Sequence, residues 1–175
     1  AYDKFYVETW VDNAMKYFTS RNFKVVSESG HIYGYGKSVW ALIDTGTREP
    51  SDIFAIREGL INEYIEKDYI CPIGKSSRVK ITDKASLIRS IDTYYSDVDV
   101  NGHINSVKYI EHIFDLWDLD WYRQHTIKRL EIAYVAESHQ GDCLHFYREQ
   151  RDSDLDFNVR ITKSNELCEE TEACR

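Results

Sequence analysis

The sequence predicts an α+β chain in which antiparallel strands curve around a single amphipathic helix. Three observations carry this expectation. Residues 4–43 are rich in β-branched and aromatic side chains, a second β-rich series runs through 87–171, and one helical stripe interrupts that second series at 107–117. At 175 residues the chain can hold one ordinary domain or two small joined ones. With 42% hydrophobic and 14% aromatic residues it can bury a core.

In chain order, "KFYVETWVD" (4–12) reads as a strand. "YFTSRNFKVVSESGHIYGYGKSVWALID" reads as further strands, with turns expected at 20–22 and 28–30. Residues 34–43 are small or apolar on both parities, which predicts a strand covered on both faces. Ile53, Ile56, Leu60, Ile61 and Tyr64 then fall at helical spacing, with Asp52 placed to cap them. "CPIGKSSRVK" follows as a connector, broken by Pro72 and Gly74.

The second series supplies strands at 87–95, 127–138, 143–150 and 155–162, with a last piece near 166–171. Within it Val107, Ile110, Ile113, Phe114 and Trp117 share one helical stripe, while Lys108, Glu111, His112 and Asp115 face away. Asn105 is the expected N-cap.

A net charge of −8 argues against nucleic acid as a partner, because phosphate binding needs a basic surface. No run of 18 apolar residues exists to span a membrane as a helix. The four cysteines, Cys71, Cys143, Cys168 and Cys174, form no C-x-x-C pair, so free thiols rather than zinc are expected. The chain begins at Ala1, already in a strand-like segment, and its true N-terminus is expected to lie upstream.

Motifs that suggest other chemistry fail on inspection. Asp97, Asp99, Asn101 and Gly102 match the first half of a calcium loop, but Lys108 stands where the bidentate carboxylate belongs. "GYGKS" lacks a phosphate-loop glycine at His31, and "GKSS" lacks one at Tyr69. Ser138 and His139 are adjacent in a strand and point to opposite faces, so they make no nucleophile–base pair. His31, His112, His125, His139 and His145 read as solvated surface residues.

Asp99, Asn101 and His103 are different: three polar side chains at spacing two, directly before a helix N-terminus. Such an arrangement suits acyl transfer, since free amides at a helix start can hold a developing oxyanion while carboxylate and imidazole activate water. It equally suits a polar cap whose side chains only satisfy loop amides.

The string "DVDVNGHINSVKYIEHIFD" resembles a segment of the fatty acyl-acyl carrier protein thioesterases of plants and bacteria, which carry two hot-dog units per chain. Asp99, Asn101, His103, Ile104, Asn105, Ser106, Tyr109 and Ile110 match its pattern in order. "GKSVWALIDTGTREPSDI", "CPIGKSSRVK" and "RLEIAYVAESHQGD" are similar to the family's strand and turn, its interdomain connector and the strand with a further acidic residue. The likeness runs from about Lys4 to Asn165.

What the resemblance implies is a set of expectations. Residues 1–70 would be a partial N-terminal hot-dog unit, 71–82 the connector and 83–175 the C-terminal unit. Each unit would wrap an antiparallel sheet around a long helix, the first being incomplete because 1–70 shows no such helix, and the chain stops at "EACR" where a further strand of the second would be expected. Asp99, Asn101 and His103 would be catalytic, with Glu137 as the further acidic member. Ser138 stands where some members have cysteine, so attack by water or a carboxylate replaces a thiolate mechanism.

Glu137 carries a condition of its own. The apolar parity Leu130, Ile132, Tyr134, Ala136 continues to Ser138, so the glutamate reaches the helix side only through a bulge. The implied reaction is hydrolysis of fatty acyl-acyl carrier protein to free fatty acid, without cofactor or metal. Acyl-coenzyme A hydrolysis and non-catalytic acyl binding are the alternatives. The cytoplasm is the implied location for a bacterial protein and the plastid for a plant one, and a homodimer is compatible. Lys75, Arg78, Lys80, Lys84 and Arg89 form a candidate patch for docking the acidic carrier.

Overall fold

The computed structural model describes residues 3–74, 79–165 and 170–175. The chain divides into two compact units, Ala1–Lys75 and Ser76–Arg175.

The first unit is a three-stranded antiparallel sheet of β1 (Phe5–Ala14), β2 (Phe18–Ser27) and β3 (Ile32–Ala41), in that order. The β1–β2 hairpin turns at 15–17, closed by Met15 N–H donating to the Phe18 carbonyl at 2.7 Å. The turn expected at 20–22 is therefore displaced. Ser20 and Asn22 are buried within the central strand, Asn22 opposite Trp10, where ladder bonds on both sides outweigh the residues' preference for turns. The turn at 28–30 forms as expected, with Gly30 at φ +89°.

Two further expectations for this unit need correction. The strand expected to be covered on both faces is an edge strand, and Val39 and Trp40, on opposite faces, are 61% and 59% exposed. The predicted helix at Ile53–Tyr64 is a kinked 3₁₀ segment instead. Asp52 does cap it, accepting from Phe54 N–H at 2.9 Å, but Arg57, Glu58 and Gly59 all adopt positive φ and break the helical run.

The second unit is a four-stranded antiparallel sheet in the order β4 (Ser86–Asp92), β5 (Cys143–Gln150), β6 (Phe157–Ser164), β7 (Glu170–Cys174). Helix α1 (Ser106–Phe114) packs on one face, followed by the short α2 (Leu119–Gln124). Leu144, Phe146, Ile161, Ala173 and Cys174 from the sheet meet Ile104, Tyr109 and Ile113 in one core. This sheet-around-helix arrangement is the hot-dog fold.

α1 keeps most of the predicted stripe, with Ile113 in the core and Phe114 and Trp117 packed against it, but departs from it at Val107 and His112. Tyr109 and Ile113 are buried, whereas Val107 is 54% exposed and His112 turns inward. The cause lies at the helix start. Asn105 is the N-cap, its Oδ1 accepting from Val107 N–H at 2.9 Å. Ile104 before it and Tyr109 in the first turn both enter the core, the paired positions of a hydrophobic staple. That staple fills the core at the helix start, where Val107 stays outside.

Residues 127–138 form no regular strand. They run extended along β7, joined by Ala133 N–H to the Arg175 carbonyl (2.8 Å) and its reciprocal (3.1 Å). Val135 and Ala136 then both donate to the Ala173 carbonyl, at 2.8 and 3.2 Å. Two successive amides on one acceptor are the hydrogen-bond pattern of a bulge. The piece expected near 166–171 is β7, and 166–169 lie outside the described residues. Among the described residues no helix is long and apolar enough to cross a membrane.

Candidate active site

The 97–105 segment folds as a short closed loop. Val98 and Ile104 form an antiparallel bridge, Asp99 N–H donates to the His103 carbonyl at 2.8 Å, and Gly102 N–H to the Asp99 carbonyl at 3.1 Å. Gly102 sits at φ +83°, a conformation L side chains rarely adopt, which the tight return requires. The base of the loop is closed by Asn105 N–H donating to the Asp97 carbonyl at 2.7 Å.

Asp99 organises this loop. Its Oδ1 accepts from Asn101 N–H at 2.8 Å and from His103 N–H at 3.4 Å, while Asn101 Nδ2 reaches its Oδ2 at 3.5 Å. The Asn101 amide, chief among these donors, holds the Asp99 carboxyl below the usual carboxylate range. Asn101 itself is exposed, and His103 is half-buried beside it.

Glu137 does reach this loop. His103 Nε2 lies 3.4 Å from Glu137 Oε2, although Glu137 neighbours the fully buried Ser138. Ser138 enters the interior, on the parity the sequence predicts, while the adjacent glutamate turns to the other side and meets His103 there. Ile104 N–H donates to the Ser138 carbonyl at 2.8 Å and ties the two segments together. Asp99, Asn101, His103 and Glu137 are thus brought to one place.

The amides at the helix start are less free than the sequence suggests. Val107 N–H is taken by Asn105 Oδ1 and Lys108 N–H by the Asn105 carbonyl at 2.9 Å.

Among the described residues no group of three or more His, Cys, Asp or Glu is placed to hold a metal ion. Cys71, Cys143 and Cys174 are free thiols, and Cys168 lies outside the described residues. Of the expected basic patch, Lys75 and Arg78 lie outside the described residues, while Arg89 pairs with Asp115.

Several histidines expected to be solvated are instead engaged. His112 Nε2 faces buried Asp97 at 3.6 Å. His145 bridges Ser90 Oγ and Ser164 Oγ, each at 2.8 Å, across three strands. His125 stacks on Trp121. His31 is exposed, with its ring edge-on to Tyr33. His139 is exposed too, yet its ring stands edge-to-face against His103 with centroids 5.1 Å apart. Only strand register and helix phase could have revealed these contacts, and neither is visible in residue type.

Comparisons with known proteins place the chain in a family. Residues 1–63 match the family model of the acyl-ACP thioesterase N-terminal domain, and 80–173 match that of the C-terminal domain. A crystal structure of an acyl-ACP thioesterase from Bacteroides thetaiotaomicron is 42% identical with a TM-score of 0.87, over 99% of this chain and 67% of that one. The 12:0-ACP thioesterase from Umbellularia californica shares the fold at 21% identity and a TM-score of 0.72, over 99% of this chain and 66% of that one.

The chloroplastic palmitoyl-acyl carrier protein thioesterase of Gossypium hirsutum is 28% identical over 91% of this chain. The chain spans only 40% of that relative's length. With both domain models matched in sequence order and a 42%-identical structure superposed over 99% of this chain, the chain belongs to the acyl-ACP thioesterase family.

Proposed function

We propose that the protein hydrolyses the thioester of fatty acyl-acyl carrier protein and releases a free fatty acid. The observation that carries the reading is the His103–Glu137 approach of 3.4 Å, made beside a loop whose own hydrogen bonds fix Asp99 and Asn101. Family membership supports the substrate class. In the same reading 1–70 is the N-terminal hot-dog portion, 71–82 the connector and 83–175 the catalytic unit.

The geometry separates the two carboxylates. Asp99 accepts three hydrogen bonds within its loop and stays ionised at neutral pH, so it serves best as the loop's organiser. Glu137, with its side chain 47% exposed, can meet a water molecule. Glu137 and His103 take the proton as water attacks the thioester carbonyl, and Asn101 Nδ2 donates to the oxygen that becomes an oxyanion. The tetrahedral intermediate collapses with cleavage of the C–S bond, and His103 returns the proton to the departing thiolate.

The test is steady-state hydrolysis of acyl carrier protein charged with acyl chains of graded length. Glu137→Gln and His103→Ala should each lower kcat roughly 10²- to 10⁴-fold in a folded protein. Wild-type turnover in both would remove the site. Equal hydrolysis of acyl-coenzyme A, without the salt sensitivity of carrier docking, would shift the substrate assignment instead.

A further inference from the structure

We propose that His139 is a positioning residue for the His103 imidazole, itself held by a clasp between Thr93 and the 139–142 turn. The inference rests on the thioesterase reading above and adds a residue to it.

The contact is direct. The two imidazoles meet with centroids 5.1 Å apart and planes at 85°, the edge-to-face geometry preferred by aromatic pairs. Glu137 already lies 3.4 Å from Nε2 of His103. One carboxylate at that distance leaves the tilt of the ring free, and a second ring against it removes that freedom. Proton transfer depends on that tilt, because the nitrogen must aim at the reacting atom.

The placement of His139 is built into the fold. Its N–H donates to Asp142 Oδ2 at 2.9 Å, and its carbonyl accepts from Asp142 N–H at 3.1 Å. Thr93, only 4% exposed just after β4, has its hydroxyl 2.9 and 2.8 Å from the His139 and Asp142 carbonyls, which share its one proton. The same hydroxyl accepts from Gly141 N–H at 3.0 Å, and Gly141 closes the turn at φ +93°. Lys163 on β6 lies 3.9 Å from Asp142 and donates to the Glu137 carbonyl, joining both ends of the segment to the sheet. An exposed ring on so fixed a backbone has no share in the core, and the group it touches is His103.

The experiment uses the full-length protein, with kcat and KM for acyl carrier protein substrates and NMR of the His103 ring protons. His139→Ala should lower kcat roughly two- to tenfold with KM unchanged, the size of one aromatic edge-to-face contact. His139→Phe keeps a ring without a titrating nitrogen and should restore turnover. The His103 ring signals should shift in His139→Ala and in Thr93→Val, and stay in place in Thr93→Ser.

Wild-type kcat in His139→Ala overturns the inference, as does a His139→Phe variant as slow as His139→Ala. If the wild-type protein hydrolyses no thioester, the function proposed above fails instead. The ring signals then decide separately, since His103 resonances unmoved in Thr93→Val overturn the positioning clasp, and a shift there that is absent in Thr93→Ser upholds it.

Discussion

The two units build similar antiparallel sheets, yet their apolar residues end in different places. In Ser76–Arg175, Leu144, Phe146 and Ile161 are fully buried beneath α1. In Ala1–Lys75, Phe5, Val7, Val39 and Trp40 are all more than half exposed. Among the described residues both α-helices belong to the second unit. Strand propensity and pairing suffice to make a sheet, but burying its face takes a second layer. The same layer carries the proposed site, because the loop that caps α1 holds Asp99, Asn101 and His103.

The sharpest way to break this comparison is through turnover. Glu137→Gln should lower kcat by the two to four orders of magnitude given above, whereas His31→Ala, at the tip of the β2–β3 hairpin, should leave it unchanged. A loss of turnover from the first-unit substitution would refute the assignment of chemistry to the second.

Stability comes next in size. Phe146→Ala removes a fully buried ring and should cost about 3–5 kcal/mol, while Trp40→Ala should cost under about 1 kcal/mol, read from urea unfolding. Equal losses would mean that the exposed sheet face is covered in solution.

Helix capping gives a smaller contrast. Asn105→Ala should destabilise by about 1 kcal/mol, since α1 is a regular helix docked on the core. Asp52→Ala should leave the unfolding midpoint nearly in place, because the segment it caps is broken by left-handed residues one turn later.

The smallest effect concerns thiols. Burial pushes the Cys174 thiol up to about 12, so it should resist alkylation at pH 8 until the protein unfolds. Linkage gives the matching trend: the folded state holds this proton more tightly, so its contribution to stability is full below the ordinary thiol range. It falls as pH rises from about 9 toward 12. Rapid labelling of Cys174 in the native protein would show that the β7 edge opens readily.

Much of the second unit is legible in residue type. Asn105 precedes a helical stripe and caps it, and the alternation of 143–150 becomes β5. The misreadings have identifiable causes. Ser20 and Asn22 look like a turn, but the hairpin register places them in a strand paired on both sides. Ile53–Tyr64 has helical spacing, yet three consecutive positive-φ residues interrupt it. On α1 Ile113, Phe114 and Trp117 reach the core as expected, but Val107 does not, because Ile104, outside the helix, and Tyr109 take up the core at that end. Asp99, Asn101 and His103 stand close in sequence and so could be grouped directly. Their approach to Glu137 depends on long-range pairing with β7, which no local pattern encodes.

The doubled hydrogen bond to the Ala173 carbonyl has an evolutionary consequence. Because two successive amides share that acceptor, this stretch carries one residue more than its partner. A chain one residue shorter at 135 or 136 would slide Glu137 by one place and part it from the imidazole. Related chains could therefore lose the carboxylate at this spot by changing length alone, with every neighbouring letter unchanged.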